Sequence, residues 1–265
     1  MIKPDWQTED GSIRLYRGDC LEVMPLLTET VDAVICDPPF GTTACKWDTV
    51  IPFAPFWEAY RRLVKANGTI VLFGTQPFTS ALVMSNPKMF RYELIWDKVN
   101  RYTGHLSSAK IPLKRHENIV IFYSASPVFN KQFRDGSAFP VRSIQGNQGA
   151  HLGVLTNSRQ KFRTRCGNDG TQHNPCSIIP FKGKVNSEIG LHPTQKPVAL
   201  LEYLIRTYTN EGDTVLDSCM GSASTAIACI RTDRKFIGIE KDPHYFQVAC
   251  QRVKDEQRQE GLFTI

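Results

Sequence analysis

Four adjacent residues, Asp37-Pro38-Pro39-Phe40, form the most chemically specific segment of the sequence. They follow the almost wholly apolar stretch 31–36, which is typical of a strand buried on both faces of a parallel sheet. Such sheets bind ligands at the carboxyl ends of their strands. Because prolines fix the backbone and donate no hydrogen bond, Asp37 and nearby carbonyl groups can present only acceptors beneath a flat ring. An exocyclic amino group would complement this edge; a simple strand-ending turn is the alternative interpretation.

A second segment, TVLDSCMGSAST at 214–225, favours the first interpretation. A short apolar strand leads into Asp217, a loop of small residues and a helical stretch, and Glu240 ends a further apolar strand. This is the layout of a nucleotide-binding β-α-β unit, in which an acidic side chain about 20 residues on accepts hydrogen bonds from ribose. The G-x-G-x-x-G fingerprint is absent, and Asp217 would repel a pyrophosphate. The predicted ligand therefore carries an ammonium group and no phosphate, and S-adenosylmethionine fits.

Together these segments resemble the DNA amino-methyltransferases, which modify adenine N6 or cytosine N4, and their order is similar to that of the β group of this family. The resemblance covers nearly the whole chain. It implies that Asp37, Pro38, Pro39 and Phe40 are catalytic. The cofactor contacts that it implies are Asp19, Cys20, Asp37, His192, Thr194, Lys196, Asp217, Ser218, Cys219, Met220, Gly221, Ser222 and Glu240.

The reaction that the resemblance implies is direct methyl transfer from S-adenosylmethionine to N6 of an adenine flipped out of duplex DNA. Asp at the first motif position favours adenine in this family, and cytosine N4 is the alternative. Three other functions stay open: a non-catalytic DNA-binding relative, an RNA or protein amino-methyltransferase, and a nicotinamide oxidoreductase. A basic insertion at 124–190 disfavours an RNA or protein amino-methyltransferase. The missing glycine fingerprint disfavours a nicotinamide oxidoreductase.

Two residues depart from the family pattern. Phe40 stands where Tyr is commoner, but stacking on a base requires only the face of the ring, so we expect activity to be retained. Ala223 stands where Gly is usual, and a side chain there is unfavourable if φ is positive. Because 224–226 continue naturally as a helix, the sequence favours a harmless Ala223 that begins the helix.

Positive charge is concentrated in the middle of the chain. Segment 98–165 holds twelve Lys or Arg against two acidic residues, whereas totals of 32 basic and 26 acidic residues leave the remainder slightly acidic. Such a local basic region is expected where phosphates bind. The candidate DNA contacts are Lys98, Arg115, His116, Arg159, Lys161, Arg163 and Arg165. An ion pair at a strand end is the alternative for Arg115.

Apolar stretches alternate with helical patterns through most of the chain, which predicts an α/β, doubly wound, mainly parallel sheet. The predicted strands are 13–17, 31–36, 69–73, 92–96, 118–123, 214–216 and 235–239. The predicted helices are 20–27, 53–65, 77–86, 195–208, 223–231 and 243–257. The family resemblance implies a seven-stranded Rossmann-like sheet with a catalytic half (1–123), an inserted target recognition region (124–190) and a cofactor-binding half (191–265).

The eight cysteines form no C-x-x-C pair and no long apolar run occurs, so the sequence predicts a reduced cytoplasmic protein without a membrane segment. Cys166, His173 and Cys176 are irregularly spaced and have no evident fourth partner, which favours ordinary loop residues over a zinc site. Double-stranded DNA is the predicted partner, and a homodimer is possible by resemblance to the β group.

Overall fold

The computed structural model describes residues 2–42, 48–99, 101–105, 108–135, 172–183 and 195–263, with side chains to residue 259. Contacts along the chain divide it into two units, which are Met1–Asn130 with Ser177–Ile265, and Lys131–Cys176. Among the described residues, no helix is both long and apolar enough to cross a membrane.

Each of the predicted strands and helices is present. The strands of the first unit are β1 (Trp6–Gln7), β2 (Ile13–Arg17), β3 (Val31–Cys36), β4 (Val64–Gly74), β5 (Phe90–Asp97), β6 (His116–Phe122), β9 (Ile178–Pro180), β10 (Thr214–Asp217) and β11 (Lys235–Glu240). The helices are α1 (Cys20–Val23), α2 (Phe53–Leu63), α3 (Phe78–Ser85), α4 (Val198–Tyr208), α5 (Ser224–Ile230) and α6 (Pro243–Phe263). In the second unit, β7 (Arg134–Asp135) pairs antiparallel with β8 (Gln172–His173).

Helices α1 and α4 fall furthest short of their predicted ranges. Helix α1 ends at Val23 and continues as the 3₁₀ turn Met24–Leu26, which has a proline near its start. Helix α4 begins at Val198 because Pro197 before it has an extended backbone, with φ −63° and ψ 133°. Both differences place a proline at a helix boundary, where it lacks the N–H that a helix interior requires.

The sheet has nine strands and is mixed, so the prediction of seven strands is wrong. Its order is β1-β2-β11-β10-β3-β4-β6-β5-β9. The central strands β2, β11, β10, β3 and β4 are parallel, whereas β6 runs antiparallel to both β4 and β5. The added edge strands β1 and β9 have two and three residues, too few to show a period of two in the sequence.

Helices cover both faces of the sheet, which confirms the doubly wound α/β prediction. Neighbouring residues of β3 divide between two buried clusters: Ile35 packs with α4, α5 and α6, and Val34 packs with α1, α2 and α3. The same alternation occurs in β4, where Val71 and Leu72 face opposite clusters. Burial on both faces explains why 33–36 and 70–73 are continuous apolar runs.

The strand order brings two distant motifs to one edge. Strands β3 and β10 are parallel neighbours, with Leu216 opposite Val34. From β3 the chain continues to β4 on one side, and from β10 it continues to β11 on the other. The connection therefore reverses direction between β3 and β10, and this switch point is where open α/β sheets form their ligand crevice.

Candidate active site

A cleft with a volume of ≈ 760 Å³ opens at the carboxyl ends of β3, β10 and β11. The predicted site segments 19–20, 37–40 and 217–222 line it, together with Lys98, Lys196 and Glu240. Residues from opposite ends of the sequence therefore meet in one cavity. The geometry arises because parallel strands place their carboxyl ends at the same edge.

Two other predicted site residues, Arg115 and His116, do not line this cleft. Arg115 donates two hydrogen bonds to Asp97, of 2.7 and 2.6 Å, and so forms the strand-end ion pair that was the alternative to DNA binding. His116 is exposed at the start of β6. His192, Thr194 and the four cations Arg159, Lys161, Arg163 and Arg165 lie outside the described residues.

Asp37 occupies the turn after β3 with its two carboxylate oxygens in different surroundings. The Oδ2 atom lies 2.5 Å from Lys196 Nζ. The Oδ1 atom is buried and has no hydrogen-bond partner among the described residues. Burial raises the pKa of Asp37 to about 6, although the charge of Lys196 opposes this effect. The carboxylate is therefore ionised at neutral pH and has one oxygen available to accept a hydrogen bond.

Phe40 lies beside this carboxylate on a partly exposed aromatic surface. Its ring centroid is 5.2 Å from that of Phe78, and the two planes are inclined by 36°. The Lys196 ammonium is 5.8 Å from the Phe40 ring centroid. A flat ring adjacent to a hydrogen-bond acceptor can hold a planar heterocycle by stacking while the acceptor binds its amino group.

Glu117 also contributes to this cleft, although it is not among the predicted site residues. It lines the cleft from β6, and its Oε1 atom lies 2.5 Å from Lys98 Nζ. Its Oε2 atom lies 3.4 Å from Lys196 Nζ. Burial would raise the pKa of Glu117, but Lys196 and Lys98 hold it below its usual value. No sequence pattern reveals this contact, because it depends on β6 pairing with β5 in a register that places Glu117 opposite Trp96.

Asp217 ends β10 and organises the loop of small residues. Its Oδ1 atom accepts from the Cys219 backbone N–H at 3.1 Å, and its Oδ2 atom accepts from the Thr225 hydroxyl at 2.7 Å. Burial raises the pKa of Asp217 to about 7, against the effect of these hydrogen bonds. A buried carboxylate with such a pKa is poised to bind a cation.

Glu240 closes the opposite side of the same loop. Its two carboxylate oxygens accept from the backbone N–H groups of Gly221, at 2.8 Å, and Asp242, at 2.7 Å. Gly221 has φ 53°, a left-handed conformation that suits glycine. Asp19 accepts from Leu21 N at the start of α1 and from Lys241 Nζ at 2.9 Å. Each acidic side chain is thus fixed in position and retains lone pairs for a ligand.

Ala223 does not begin a right-handed helix, so the expectation of a harmless residue is wrong. It lies before α5 with φ 59° and ψ 37°, and its side chain is fully buried. The loop turns sharply at this point, and its backbone requires the left-handed conformation that the usual glycine of the family adopts without strain. The following residues do form the helix, which is why the sequence pattern was misleading.

Replacing Ala223 by Gly should leave the protein equally stable or raise its free energy of unfolding by up to about 1.5 kcal/mol. Glycine relieves about 1–2 kcal/mol of left-handed strain, but it adds unfolded-state freedom worth about 0.4–1 kcal/mol. Ala226→Gly, inside α5, is the matched control and should lose about 1 kcal/mol. Urea unfolding of both variants measures the difference, and an equal loss in the two would contradict the strain at Ala223.

The composition of the cleft fits S-adenosylmethionine. Acidic residues outnumber lysines in the lining, which suits a ligand with a sulfonium and an ammonium group and disfavours a pyrophosphate. The Gln195 amide was not predicted as a site residue; its Nε2 atom is buried without a hydrogen-bond partner in the described part of the chain, and it can donate to a carboxylate. The described residues contain no cluster of three or more His, Cys, Asp and Glu that could hold a metal ion.

A doubly wound sheet with an acidic cofactor cleft beside an Asp-Pro-Pro-Phe turn defines a methyltransferase. The chain belongs to the DNA methylase family N6_N4_Mtase, whose model matches residues 31–251. Membership in this family confirms the DNA amino-methyltransferase prediction and S-adenosylmethionine as the cofactor.

Individual relatives are similar over most of their length. The type II methyltransferase M2.MboI of Moraxella bovis is 26% identical, with 95% of this chain and 91% of the relative covered. The DNA adenine methyltransferase YhdJ of Escherichia coli K12 is 28% identical, with 90% and 82% covered. The crystal structure of the M1.HpyAVI–SAM complex superposes with a TM-score of 0.61 at 26% identity, covering 91% of this chain and 98% of that one.

Proposed function

We propose that this DNA methyltransferase transfers a methyl group from S-adenosylmethionine to the exocyclic N6 of an adenine flipped out of duplex DNA. The observation that carries the proposal is the buried Oδ1 atom of Asp37, which has no hydrogen-bond partner among the described residues and lies beside Phe40, at the same sheet edge as Asp217. An extruded base needs a stacking surface and an acceptor for its amino group, and this edge offers both.

The cofactor contributes an electrophilic methyl group bound to a sulfonium sulfur. In the proposed reaction Asp37 and the Pro38 carbonyl accept hydrogen bonds from the target amine and direct its lone pair toward that methyl group. The nitrogen–carbon bond forms as the carbon–sulfur bond breaks, and the nitrogen then releases one proton. The Asp37 carboxylate stabilises the positive charge that develops on nitrogen and is placed to accept this proton. Phe40 offsets part of the unstacking energy of the flipped base.

Several fixed side chains would hold the cofactor. Asp217 would bind its ammonium group, Glu240 its ribose hydroxyls, and Asp19 would lie toward its adenine. Gln195 would donate to its carboxylate through the Nε2 atom, for which the described part of the chain supplies no acceptor. The family resemblance implies this carboxylate contact for Lys196, but in the structure the Lys196 ammonium binds Asp37 and Glu117.

Cytosine N4 is the second candidate target, because it presents the same kind of exocyclic amine. Two facts favour adenine: Asp is the first residue of the catalytic motif, and the relative YhdJ is named as an adenine methyltransferase. The proposal is tested by labelled methyl transfer to duplex DNA, single-stranded DNA and RNA of mixed sequence. Preferential labelling of duplex DNA is expected, and preferential labelling of RNA would contradict the proposal.

Target recognition is proposed for segment 124–190, whose cations would contact DNA phosphates. Replacing Arg159, Lys161, Arg163 and Arg165 together with Ala should weaken DNA binding and leave S-adenosylmethionine binding unchanged. Each lost phosphate contact on duplex DNA should reduce the slope of log affinity against log salt by about 0.9. Fluorescence anisotropy over a salt series measures this slope.

A matched control removes four exposed cations of the first unit. These are Lys3, Lys88, Lys235 and Arg258. The control should bind DNA with the slope of the unaltered protein. If the salt slope of the variant lacking Arg159, Lys161, Arg163 and Arg165 equals that of the control, DNA binds elsewhere. Lys98, Lys110 and Lys114 would then be the next residues to test.

By its resemblance to the β group, we expect the protein to form a homodimer, which sedimentation equilibrium would detect. The non-catalytic alternative predicts DNA binding without any affinity for S-adenosylmethionine. Calorimetric titration with the cofactor distinguishes this alternative, because a catalytic protein binds it even without DNA.

A further inference from the structure

The ammonium of Lys196 lies between two mostly buried carboxylates. Its Nζ atom is 2.5 Å from Asp37 Oδ2 and 3.4 Å from Glu117 Oε2. The other oxygen of Glu117 is 2.5 Å from Lys98 Nζ. Asp37, Lys196, Glu117 and Lys98 thus form an alternating row of two negative and two positive charges, here called the charge row.

Buried charges persist only when they are paired, so each member of the charge row holds its neighbour in place. The Lys196 side chain is only 8% exposed. Burial alone would lower the pKa of Lys196, but the charges of Asp37 and Glu117 raise it above its usual value. The ammonium also lies 5.0 Å from the Phe73 ring centroid, which adds a favourable cation–π contact. Lys196 is therefore a charged and well-anchored group at neutral pH.

The charge row makes the two oxygens of Asp37 unequal. Oδ2 is occupied by Lys196, while Oδ1 is buried and has no partner in the described part of the protein. An unpaired buried carboxylate oxygen is costly and tends to be retained where a ligand completes it. Asp37 lines the cleft, so a ligand donor can complete it from that side.

We propose that Lys196, anchored by Glu117, is a positioning residue that fixes Asp37 Oδ2 and thereby presents Oδ1 as the Asp37 oxygen that accepts from the target amine. The proposal rests on the proposed role of Asp37 in methyl transfer. Lys196 touches neither the transferred methyl group nor the base in this arrangement; it acts through Asp37. Glu117 acts one step further away, through Lys196.

The charge row predicts opposite electrostatic effects from its two inner members. The charge of Lys196 lowers the pKa of Asp37, and that of Glu117 raises it, with Lys98 adding a weaker lowering effect. Asp217 lines the same cleft, and the charge of Asp37 raises the pKa of Asp217. Lys196→Met should therefore raise the pKa of Asp37 above about 6, and Glu117→Gln should lower it. A side chain that only fills space would not produce shifts of opposite sign.

The first measurement needs no activity. Protein labelled with carbon-13 at the aspartate carboxyl groups is titrated without cofactor, and the Asp37 signal is assigned by its loss in Asp37→Asn. The expected result is a titration at higher pH in Lys196→Met and at lower pH in Glu117→Gln. The matched control is Lys65→Met, which breaks a 2.6 Å ion pair with Asp32 on the same strand as the segment leading to Asp37. The proposal would be overturned if the Asp37 titration were unchanged in both Lys196→Met and Glu117→Gln, or if it shifted in the same direction in both.

The second measurement separates positioning from charge balance. The kcat and KM for DNA are measured over a range of pH for each variant. The kcat values are then compared at high pH, where kcat has reached its plateau because Asp37 is ionised in every variant. Lys196→Met should lower this plateau at least about tenfold, the smaller part of what one positioned electrostatic group supplies, with little change in KM. Lys196→Arg, which keeps the charge, should restore part of it and also serves if Lys196→Met does not fold. A plateau equal to that of the unaltered protein would overturn the positioning role.

The two measurements distinguish this inference from the proposed function. If the unaltered protein methylates no DNA, the proposed function fails, whatever the titrations show. If it methylates DNA but the Asp37 titrations do not shift as expected, the inference about Lys196 fails alone.

Discussion

Asp37→Ala should lower kcat for methyl transfer at least about 10²-fold, the scale for removing one positioned electrostatic group. The change removes both the acceptor for the target amine and the stabiliser of positive charge on nitrogen. It should leave S-adenosylmethionine affinity much less affected, because Asp217 and Glu240 are held by other contacts. Single-turnover assays and calorimetric titration with the cofactor measure the two effects separately.

Asp32→Ala is the matched control for this substitution. Asp32 lies on β3, where it pairs with Lys65 at 2.6 Å and accepts from Thr214 N at 2.9 Å. It lies at the other end of the strand from the cleft, so turnover should be retained, with a stability loss of about 1 kcal/mol for the hydrogen bond. Full turnover in Asp37→Ala would refute the catalytic role of Asp37.

Asp217→Asn should weaken S-adenosylmethionine binding about 10- to 100-fold, because a charge-assisted hydrogen bond is worth about 1.5–3 kcal/mol. In the unaltered protein, affinity should rise as the pH increases through about 7, where Asp217 ionises. The affinity of the variant should lack this rise. Calorimetric titrations below and above this pH test both expectations.

The same substitution should stabilise the cofactor-free protein at alkaline pH. Because burial raises the folded-state pKa of Asp217 from 3.8 to about 7, the folded protein binds this proton more tightly than the unfolded chain. The resulting stability is present below about pH 4 and is lost as the pH rises through about 7. Asn removes this dependence, with an effect of at most about 4 kcal/mol for three pKa units. If the free energies of unfolding of the two proteins changed with pH in the same way, this would contradict a raised pKa for Asp217 in the folded protein.

Much of the fold could be predicted because the central strands carry their own signal. Burial on both faces makes 33–36 and 236–239 continuous apolar runs, and the intervening helices identify parallel connections. Strands β1 and β9 could not be predicted, since two or three residues form no periodic pattern. The nine-stranded mixed sheet therefore differs from the predicted seven strands at its edges and at the antiparallel β6.

The site was predictable to a similar depth. Asp37, Asp217 and Glu240 each end a recognisable strand, so parallel strand order is enough to bring them together. Glu117 and the charge row depend on the register of an antiparallel pair, and Gln195 depends on the packing of a loop, neither of which sequence spacing determines. Ala223 was misjudged because helix propensity describes the residues after it but not its own left-handed backbone.

The most direct test of Asp37-dependent methylation at adenine N6 identifies the modified nucleoside. Duplex DNA of mixed sequence is incubated with the protein and S-adenosylmethionine carrying a trideuterated methyl group, digested to nucleosides and analysed by mass spectrometry. Deuterium-labelled N6-methyldeoxyadenosine is expected from the unaltered protein, and little or none from Asp37→Ala. Labelled N4-methyldeoxycytidine in its place, or label that persists undiminished in Asp37→Ala, would contradict this expectation.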